Sequence, residues 1–143
     1  MIEYTKAKTE DSEELIDFIN MVFSHNERPH DFKRLLPKLY GEGRDTSDCH
    51  YIVKENGKIK AAVGVFPTNI HVGNTVLKVG QLGSVSVHPY ARGKGYMKKL
   101  MAEAIRDSRE KGFDALVLGG LKNRYQYFGF MPTDTKVRYT FLP

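Results

Sequence analysis

The chain has 143 residues, of which 41% are hydrophobic and 27% are charged. This length and composition predict a single globular domain over 1–143 and argue against a disordered or fibrous chain. The single cysteine, Cys49, excludes an internal disulfide and suits a reducing compartment, and no apolar run is long enough to span a membrane. We therefore expect a cytoplasmic protein that has no membrane partner.

The formal net charge of +5 is compatible with an anionic partner. Lysines and arginines are mixed with acids along the chain, which argues against nucleic acid as that partner. The one stretch that resembles a nucleic-acid-binding face, residues 125–128 beside Lys122 and Arg124, is short. The histidines lack the spacing of metal ligands, so we predict no metal site and interpret them as surface or turn residues: His25, His30, His50, His71 and His88.

The first third of the sequence predicts a strand followed by two helices. Ile2, Tyr4 and Ala7 favour a short opening strand. The first helix is expected to begin near Thr9 or Asp11, because Asp11 and Glu14 have capping-box spacing. Its buried positions recur at helical intervals, namely Leu15, Ile16, Ile19, Val22 and Phe23. A second short helix ends at Gly41, and its apolar face is Phe32, Leu35, Leu36 and Leu39.

From His50 onward the hydrophobic period changes to two, which predicts strands. Tyr51 and Val53 alternate in one strand, and the Asn-Gly pair at 56–57 predicts a tight hairpin turn. The chain returns as a strand from residue 59 toward Val72. A turn at 73–74 then leads into a long strand over 76–87. The middle of the chain is thus predicted to be an antiparallel meander.

The last third predicts a helix, a strand and two short elements. The helix covers about 94–111, and Gly112 ends it. The segment 113–118, which is apolar except for Asp114, favours a strand inside the sheet, parallel to strand 76–87 because a helix crosses over between them. A short helix near 122–128 and a strand at 137–142 complete an α/β pattern. The apolar face of the long helix is Met97, Leu100, Met101, Ala104 and Ile105.

The stretch VSVHPYARGKGYM at 85–97 has the features of a phosphate cradle. Pro89 ends strand pairing, and Gly93 and Gly95 allow unusual backbone angles and a close ligand approach. The helix that follows has unpaired N–H groups and a dipole that favours anions. A P-loop would need Gly-Lys-Ser/Thr, and a dinucleotide fingerprint would need a glycine where Lys98 stands. Neither pattern fits.

The segment RGKGYM at 92–97 resembles the acetyl-CoA-binding motif of the GNAT N-acetyltransferases, Arg/Gln-x-x-Gly-x-Gly/Ala. The segment YQYFGF at 125–130 resembles that family's Tyr-x-x-x-Gly-Phe, and the element order over essentially the whole chain resembles the GNAT order. Met97 is larger than the usual last residue of the first motif, as in Eis-like multidomain enzymes. The early end of the chain would suit an N-terminal GNAT domain truncated from a longer protein of that kind.

The resemblance implies a GNAT fold, in which a mostly antiparallel mixed sheet has one parallel pair splayed around the cofactor and helices on its flanks. It implies acetyl-CoA as the cosubstrate, with the pantetheine arm paired to the backbone of Val85 and Val87. A bulge at Gly83 and Ser84 would open that strand edge. The residues implied to hold the pyrophosphate region are Arg92, Gly93, Lys94, Gly95, Tyr96 and Met97.

The implied activity is direct transfer of an acetyl group to a primary amine on a small molecule or peptide. Tyr125 stands at the place of the family's general acid, and a phenol can donate a proton to a departing thiolate. The general base stays open, because Gln81 stands where several members have glutamate and has no useful basicity; a water chain is the alternative. A CoA-binding module that has lost catalysis, acting as a sensor or interaction domain, is the alternative function.

The acceptor itself is not identified by the sequence, since fold does not fix substrate. The segment 24–50 is expected to build the acceptor pocket, and the oligomeric state stays open. Acids in this segment could attract a cationic amine: Glu27, Asp31, Glu42, Asp45 and Asp48.

Overall fold

The computed structural model describes residues 1–119 and 125–132. Helices and strands follow one another in the predicted order, with short 3-10 turns between several of them. In chain order the elements are β1 (Ile2–Lys6), α1 (Ser12–Asn26), α2 (Phe32–Leu35), α3 (Pro37–Tyr40), β2 (His50–Glu55), β3 (Lys58–Val72), β4 (Thr75–Val87), α4 (Tyr96–Glu110) and β5 (Ala115–Val117). The predicted strand at 137–142 and the start of the predicted helix at 122–128 lie outside the described residues.

The strands form a five-stranded sheet in the order β1-β2-β3-β4-β5. The first three pairings are antiparallel, as expected for a meander joined by tight turns. β4 and β5 are parallel, with Gly80 opposite Leu116, because α4 carries the chain back across the sheet. The predicted mixed α/β sheet with one parallel pair is therefore confirmed.

Both faces of the sheet are covered by helices, so successive strand residues enter two different cores. In β2, Val53 packs with the α4 residues Leu100 and Met101, whereas its neighbour Ile52 packs with the α1 residues Leu15 and Ile19. This alternation follows from the period of two along a strand. The sheet therefore holds α1 to α3 on one face and α4 on the other.

The predicted capping box at the start of α1 is wrong. The Asp11 carboxylate accepts from the Lys8 backbone N–H at 2.9 Å and pairs with Lys54 at 2.6 Å. Glu14 accepts from the backbone N–H of Ile59 at 3.0 Å, across to β3. The Asp11 carboxylate thus caps the preceding turn and pairs with β2, and Glu14 bonds to β3, so the two residues do not form the predicted box.

The second predicted helix is divided in two by Pro37. A residue that precedes proline is pushed out of the helical region, and Leu36 accordingly has φ −128 and ψ 65. The break rotates the chain, so Leu35 is 57% exposed and Leu36 is exposed, while Phe32 and Tyr40 are buried. The predicted apolar face is therefore wrong at Leu35 and Leu36, and Tyr40 replaces them in the core.

Candidate active site

A cleft of about 1060 Å³ opens between the end of β4 and the start of α4. Its walls also include the C-terminal end of α1, the chain that follows β5, and Tyr125. The lining residues are Val22, Phe23, Asn26, Glu27, Leu82, Gly83, Ser84, Val85, Ser86, Val87, Ala91, Arg92, Gly93, Gly95, Tyr96, Met97, Lys98, Leu118, Gly119 and Tyr125. Val85, Val87 and Tyr125, which the sequence placed at one site, thus share one cavity.

The cleft exists because β4 separates from β5 and bulges where it runs beside β3. Its parallel pairing with β5 ends at Gln81 opposite Val117, and the residues beyond line the cleft from both strands. On the other side, Gly83 pairs with Gly64 and Ser86 with Ala62, so residues 84 and 85 face a single β3 residue. This register shift is the predicted bulge, and Ser84 adopts φ +54 within it.

Two glycines set the course of the chain into α4. Gly93 has φ +81 and Gly95, the N-cap of α4, has φ +78, a left-handed region that favours glycine. A Cβ at either position would meet no atom within 4 Å, so the requirement for glycine comes from the backbone angle. The first turn of α4, whose N–H groups lack intrahelical partners, therefore begins at the cleft wall.

The cationic side chains around this turn have different surroundings. Lys94 does not line the cleft and instead pairs with Glu55 of β2 at 2.7 Å. Arg92 lines it and donates to the Asn26 side chain at 2.5 Å, which links the turn to the end of α1. Lys98 also lines the cleft, lying 5.1 Å from the Tyr127 ring centroid, and was absent from the predicted site residues.

Tyr96 serves mainly to fix the start of α4. Its ring is buried edge-on against Tyr4, and its hydroxyl donates to Glu55. That bond raises the pKa of Tyr96 to about 12, whereas hydrogen bonds from Lys94 and Tyr96 lower the pKa of Glu55. The Tyr96 side chain thus stays protonated, and its contribution to the cleft mouth is largely its backbone.

Tyr125 is held on the cleft wall by the motif around it. It is 8% exposed and precedes a 3-10 turn, Gln126–Phe128, after which Gly129 takes φ +93. This left-handed turn brings the Phe130 ring against the Tyr125 ring at 6.4 Å in an edge-to-face contact. Tyr127, in contrast, is 69% exposed, in agreement with its interpretation as a packing or surface residue.

The other residues considered in the sequence analysis differ in their position relative to the cleft. Gln81 is exposed and does not line the cleft, as expected for an ordinary polar strand residue. Of the acids in segment 24–50, Glu27 lines the cleft. His88 is a turn residue as predicted, since its Nδ1 accepts from the Tyr90 N–H at 3.1 Å.

The interpretation of His50 as a surface or turn residue is wrong. Its exposed fraction is 0%, and its ring packs edge-on against Phe66 at 5.3 Å. Its Nδ1 lies 2.8 Å from the Thr46 carbonyl oxygen, and its Nε2 lies 2.8 Å from the Tyr40 hydroxyl. The Tyr40 hydroxyl lies 2.5 Å from Ser84 Oγ at the bulge. Sequence reasoning missed this chain because its members are far apart along the sequence.

Within residues 1–119 and 125–132, no helix is long and apolar enough to cross a membrane. The same residues contain no group of His, Cys, Asp and Glu side chains that could hold a metal ion.

A mixed sheet whose parallel strands separate over a glycine turn at a helix N-terminus defines the acetyltransferase class of fold. The chain matches the family model of the acetyltransferase (GNAT) domain over residues 3–132. It therefore belongs to the GNAT acetyltransferase family. A search of curated proteins gave no match.

Solved structures share the fold at low sequence identity. A predicted acetyltransferase from Clostridium acetobutylicum, solved with acetyl-CoA, superposes with TM-score 0.78 at 19% identity, covering 98% of this chain and 96% of that chain. A GNAT family acetyltransferase from Brucella melitensis, in complex with acetyl-CoA, gives TM-score 0.73 at 21% identity, covering 92% and 84%.

A probable N-acyltransferase from Enterococcus faecalis gives TM-score 0.72 at 18% identity. The match covers 90% of this chain but only 32% of that protein. The resemblance to Eis-like enzymes stays a prediction.

Proposed function

We propose that this protein is an acetyl-CoA-dependent N-acetyltransferase that acts on a primary amine. The observation that carries the proposal is the convergence of three features on one cleft. These are the glycine turn at the start of α4, the bulge near the end of β4, and Tyr125 of the Tyr-x-x-x-Gly-Phe motif. Acetyl-CoA complexes of two structures that share the fold support the same donor.

In the proposed binding mode, backbone groups contact the cofactor and side chains supply positive charge. We assign the pyrophosphate to the backbone amides of residues 93–97, whose helix end favours anions, and the pantetheine arm to the backbone of Val85 and Val87. Arg92 and Lys98 line the cleft and supply positive charge there. Lys94 contributes only its backbone, because its ammonium is paired with Glu55.

Amide formation needs a neutral amine and a protonated leaving group. A lysine-like ammonium is neutral at pH 7 in roughly one molecule in a few thousand, so the amine must lose a proton before attack. Bound acetyl-CoA supplies the thioester whose carbonyl carbon is attacked. We assign Tyr125 to donate its phenolic proton to the departing thiolate, since a phenol O–H is a proton donor and this residue borders the cleft.

The cleft also has an acidic lining residue. Glu27 follows Asn26 at the end of α1 and lines the cavity. A carboxylate there attracts a cationic amine while the phosphates of the donor occupy the basic turn. The acceptor class that suits this arrangement is a small-molecule or peptide amine that is protonated in solution.

The first experiment is thermal unfolding with and without acetyl-CoA, using ATP and NADH as matched anionic nucleotides. A ligand at about a hundred times its dissociation constant adds roughly 2.7 kcal/mol to stability, a shift of about 3–6 °C for a domain of this size. A shift with acetyl-CoA alone is expected. The absence of a shift with all three ligands would contradict the cradle and the enzyme assignment with it.

The second experiment measures release of the CoA thiol with a panel of amines. The panel contains 1,4-diaminobutane, glucosamine, an aminoglycoside and a lysine-containing peptide, with the corresponding alcohols or acetylated compounds as controls. We expect amine-dependent thiol release with at least one member. Acetyl-CoA binding without release for any amine would favour the alternative function, a CoA-binding module without catalysis.

A further inference from the structure

A continuous chain of hydrogen bonds runs from the interior of the protein to the cleft. It begins at the Thr46 carbonyl, passes through the buried His50 ring and the Tyr40 hydroxyl, and ends at Ser84 Oγ. The first three groups belong to the 24–50 region and the start of β2, whereas Ser84 lines the cleft. The mechanism described above does not use any of them.

Each hydroxyl or ring N–H in this hydrogen-bond chain donates toward the interior of the protein. A backbone carbonyl oxygen only accepts, so Nδ1 of His50 must be the nitrogen that carries the proton. Burial lowers the pKa of His50 to about 4, and the neutral ring therefore presents a bare Nε2. Tyr40 donates to that nitrogen, and its oxygen then accepts the proton of the Ser84 hydroxyl. Ser84, which lines the cleft, thereby uses its own proton in the chain, and its Oγ lone pairs receive no hydrogen bond from Tyr40.

The packing around the chain keeps its members in place. The Phe66 ring lies against both Tyr40 and His50, with centroids 6.2 and 5.3 Å away. Gly64 and Gly83 make room for this ring, since a Cβ would lie 2.9 Å and 3.3 Å from its atoms, respectively. Ser84 itself is held at φ +54 in the bulge, a conformation that a non-glycine residue seldom adopts without a reason.

We propose that Ser84 Oγ is the hydrogen-bond acceptor that holds the N–H of the incoming amine, with Tyr40 and His50 as positioning residues that fix its polarity. The proposal rests on the proposed N-acetyltransferase function. An amine that donates one N–H to Ser84 keeps its nitrogen lone pair free for the thioester carbonyl. If the Ser84 hydroxyl were free to rotate, it could instead donate to that lone pair and block attack.

No proton moves along this chain in the proposal. The ammonium loses its first proton to solvent water before attack. The second proton, which the nitrogen loses as the amide forms, replaces the one that Tyr125 gives to the thiolate. His50 is a poor terminal acceptor, because burial makes its imidazolium unfavourable. The hydrogen-bond chain therefore acts by orienting one hydroxyl. It should affect kcat/KM for the amine and not the Kd for acetyl-CoA.

The kinetic test uses the amine of the panel that gives the fastest thiol release, at saturating acetyl-CoA. Ser84→Gly removes the hydroxyl and tolerates the positive φ, and Ser84→Ala removes it while keeping a side chain. We expect both to lower kcat/KM for the amine about tenfold, the value of one hydrogen bond, with an unchanged Kd for acetyl-CoA. Tyr40→Phe keeps the ring and should lower kcat/KM about three- to tenfold.

The double variant separates positioning from a structural effect. If Tyr40 acts through Ser84, Tyr40→Phe should change kcat/KM by less than about twofold in the Ser84→Gly background. The proposal would be overturned if the fold-losses in kcat/KM of the two single variants multiplied in the double variant. An unchanged kcat/KM for Ser84→Gly and Ser84→Ala would overturn it as well. A wild type that binds acetyl-CoA but acetylates no amine would instead contradict the proposed function.

A spectroscopic measurement tests the polarity without any turnover. Long-range ¹H–¹⁵N NMR spectra distinguish the two neutral tautomers of a histidine ring. We expect His50 in the Nδ1–H tautomer at neutral pH, in the wild type and in Ser84→Gly. An Nε2–H tautomer would reverse the chain and make Ser84 a donor, which would overturn the proposal even if the variants were poorly active.

Discussion

Tyr125 is the single side chain on which the proposed chemistry depends most. Its position at the cleft wall supports its proposed role as the donor to the departing thiolate, and general acids contribute about 10²–10⁴-fold. We expect Tyr125→Phe to lower kcat by about 10²-fold at neutral pH, while the Kd for acetyl-CoA stays within about twofold. Steady-state kinetics and an isothermal titration measure the two quantities.

The matched control is Tyr127→Phe, which removes the same hydroxyl two positions along the same turn from a ring that is 69% exposed. Its kcat should equal that of the wild type. Unchanged turnover in Tyr125→Phe would remove Tyr125 from the mechanism. Equal losses in both variants would point to damage of the turn instead of loss of an acid.

His50 makes stability depend on pH in a defined window. Burial lowers its pKa to about 4, whereas in the unfolded chain the imidazole titrates near 6.5. Between these values the unfolded state binds a proton that the folded state does not. The stability is therefore complete above about pH 6.5 and is lost as the pH falls toward 4, by roughly 3 kcal/mol in total.

Urea unfolding at about pH 7 and about pH 4.5 measures this loss as a change in the free energy of unfolding. We expect His50→Gln to lose roughly 2–3 kcal/mol less than the wild type over that interval, even if it is less stable at pH 7. The control is His71→Gln, at an exposed position of the β3–β4 hairpin, which should follow the wild type. A wild-type pH dependence in His50→Gln would contradict the buried neutral ring.

Sequence reasoning at the residue scale succeeded where the backbone itself carries the signal. The positive φ of Gly95 and the bulge at Ser84 are predictable because a glycine spacing or a Gly-Ser pair marks a local conformation, whereas the role of Tyr125 stays a prediction. The interpretation of His50 is wrong because its burial comes from tertiary contacts with the Tyr40 hydroxyl and the Phe66 ring. Local spacing holds no information about such a contact.

The element to which we assign the cofactor phosphates is α4, and its two ends provide a matched pair of tests. Gly95 at its start and Gly112 after its end both have φ +78, and a Cβ at either would meet no atom within 4 Å. A glutamate at either position should therefore cost a similar backbone strain of about 1–2 kcal/mol. Only Gly95 lies in the cleft wall.

We expect Gly95→Glu to abolish the thermal shift caused by acetyl-CoA, because a carboxylate and its bulk would enter the place assigned to the pyrophosphate. Gly112→Glu should melt at a similarly lowered temperature but keep the full shift. Thermal unfolding of both variants with and without acetyl-CoA checks the prediction. A normal shift in folded Gly95→Glu would refute the assignment of the phosphates to this turn.

At the scale of elements, the sequence predicted nearly every helix and strand and misjudged their ends. The hydrophobic period fixes element type, since it records which residues face a core. The misjudged positions are those where tertiary partners or a proline overrule the local pattern: Glu14 bonds to β3 rather than capping α1, and Pro37 divides a helix in two. The parallel β4–β5 pair is predictable because a crossover helix carries the chain back across the sheet, which favours a parallel pair.

Over the whole molecule, the effect of the net charge of +5 on donor binding depends on where the basic side chains lie. Lys94 is paired with Glu55, and Lys99 lies 4.1 Å from the Tyr4 ring centroid, on the sheet side of α4. Arg92 and Lys98 are the basic side chains among the described residues that line the cleft. Attraction of an anionic donor should therefore depend on these two positions and not on the total charge.

Substitutions at Lys98 and Lys99 distinguish the effect of charge at the cleft from that of net charge, because Lys98→Gln and Lys99→Gln lower the net charge by the same amount. Raising the salt from about 50 mM to about 500 mM shortens the screening length severalfold, so the wild-type Kd for acetyl-CoA should rise several-fold. Lys98→Gln should bind about three- to tenfold more weakly at low salt and show a flatter salt dependence, as one fewer phosphate contact requires. Lys99→Gln should match the wild type at both salt concentrations. Equal weakening in the two variants would mean that the net charge of the molecule, rather than the wall of the cleft, attracts the donor.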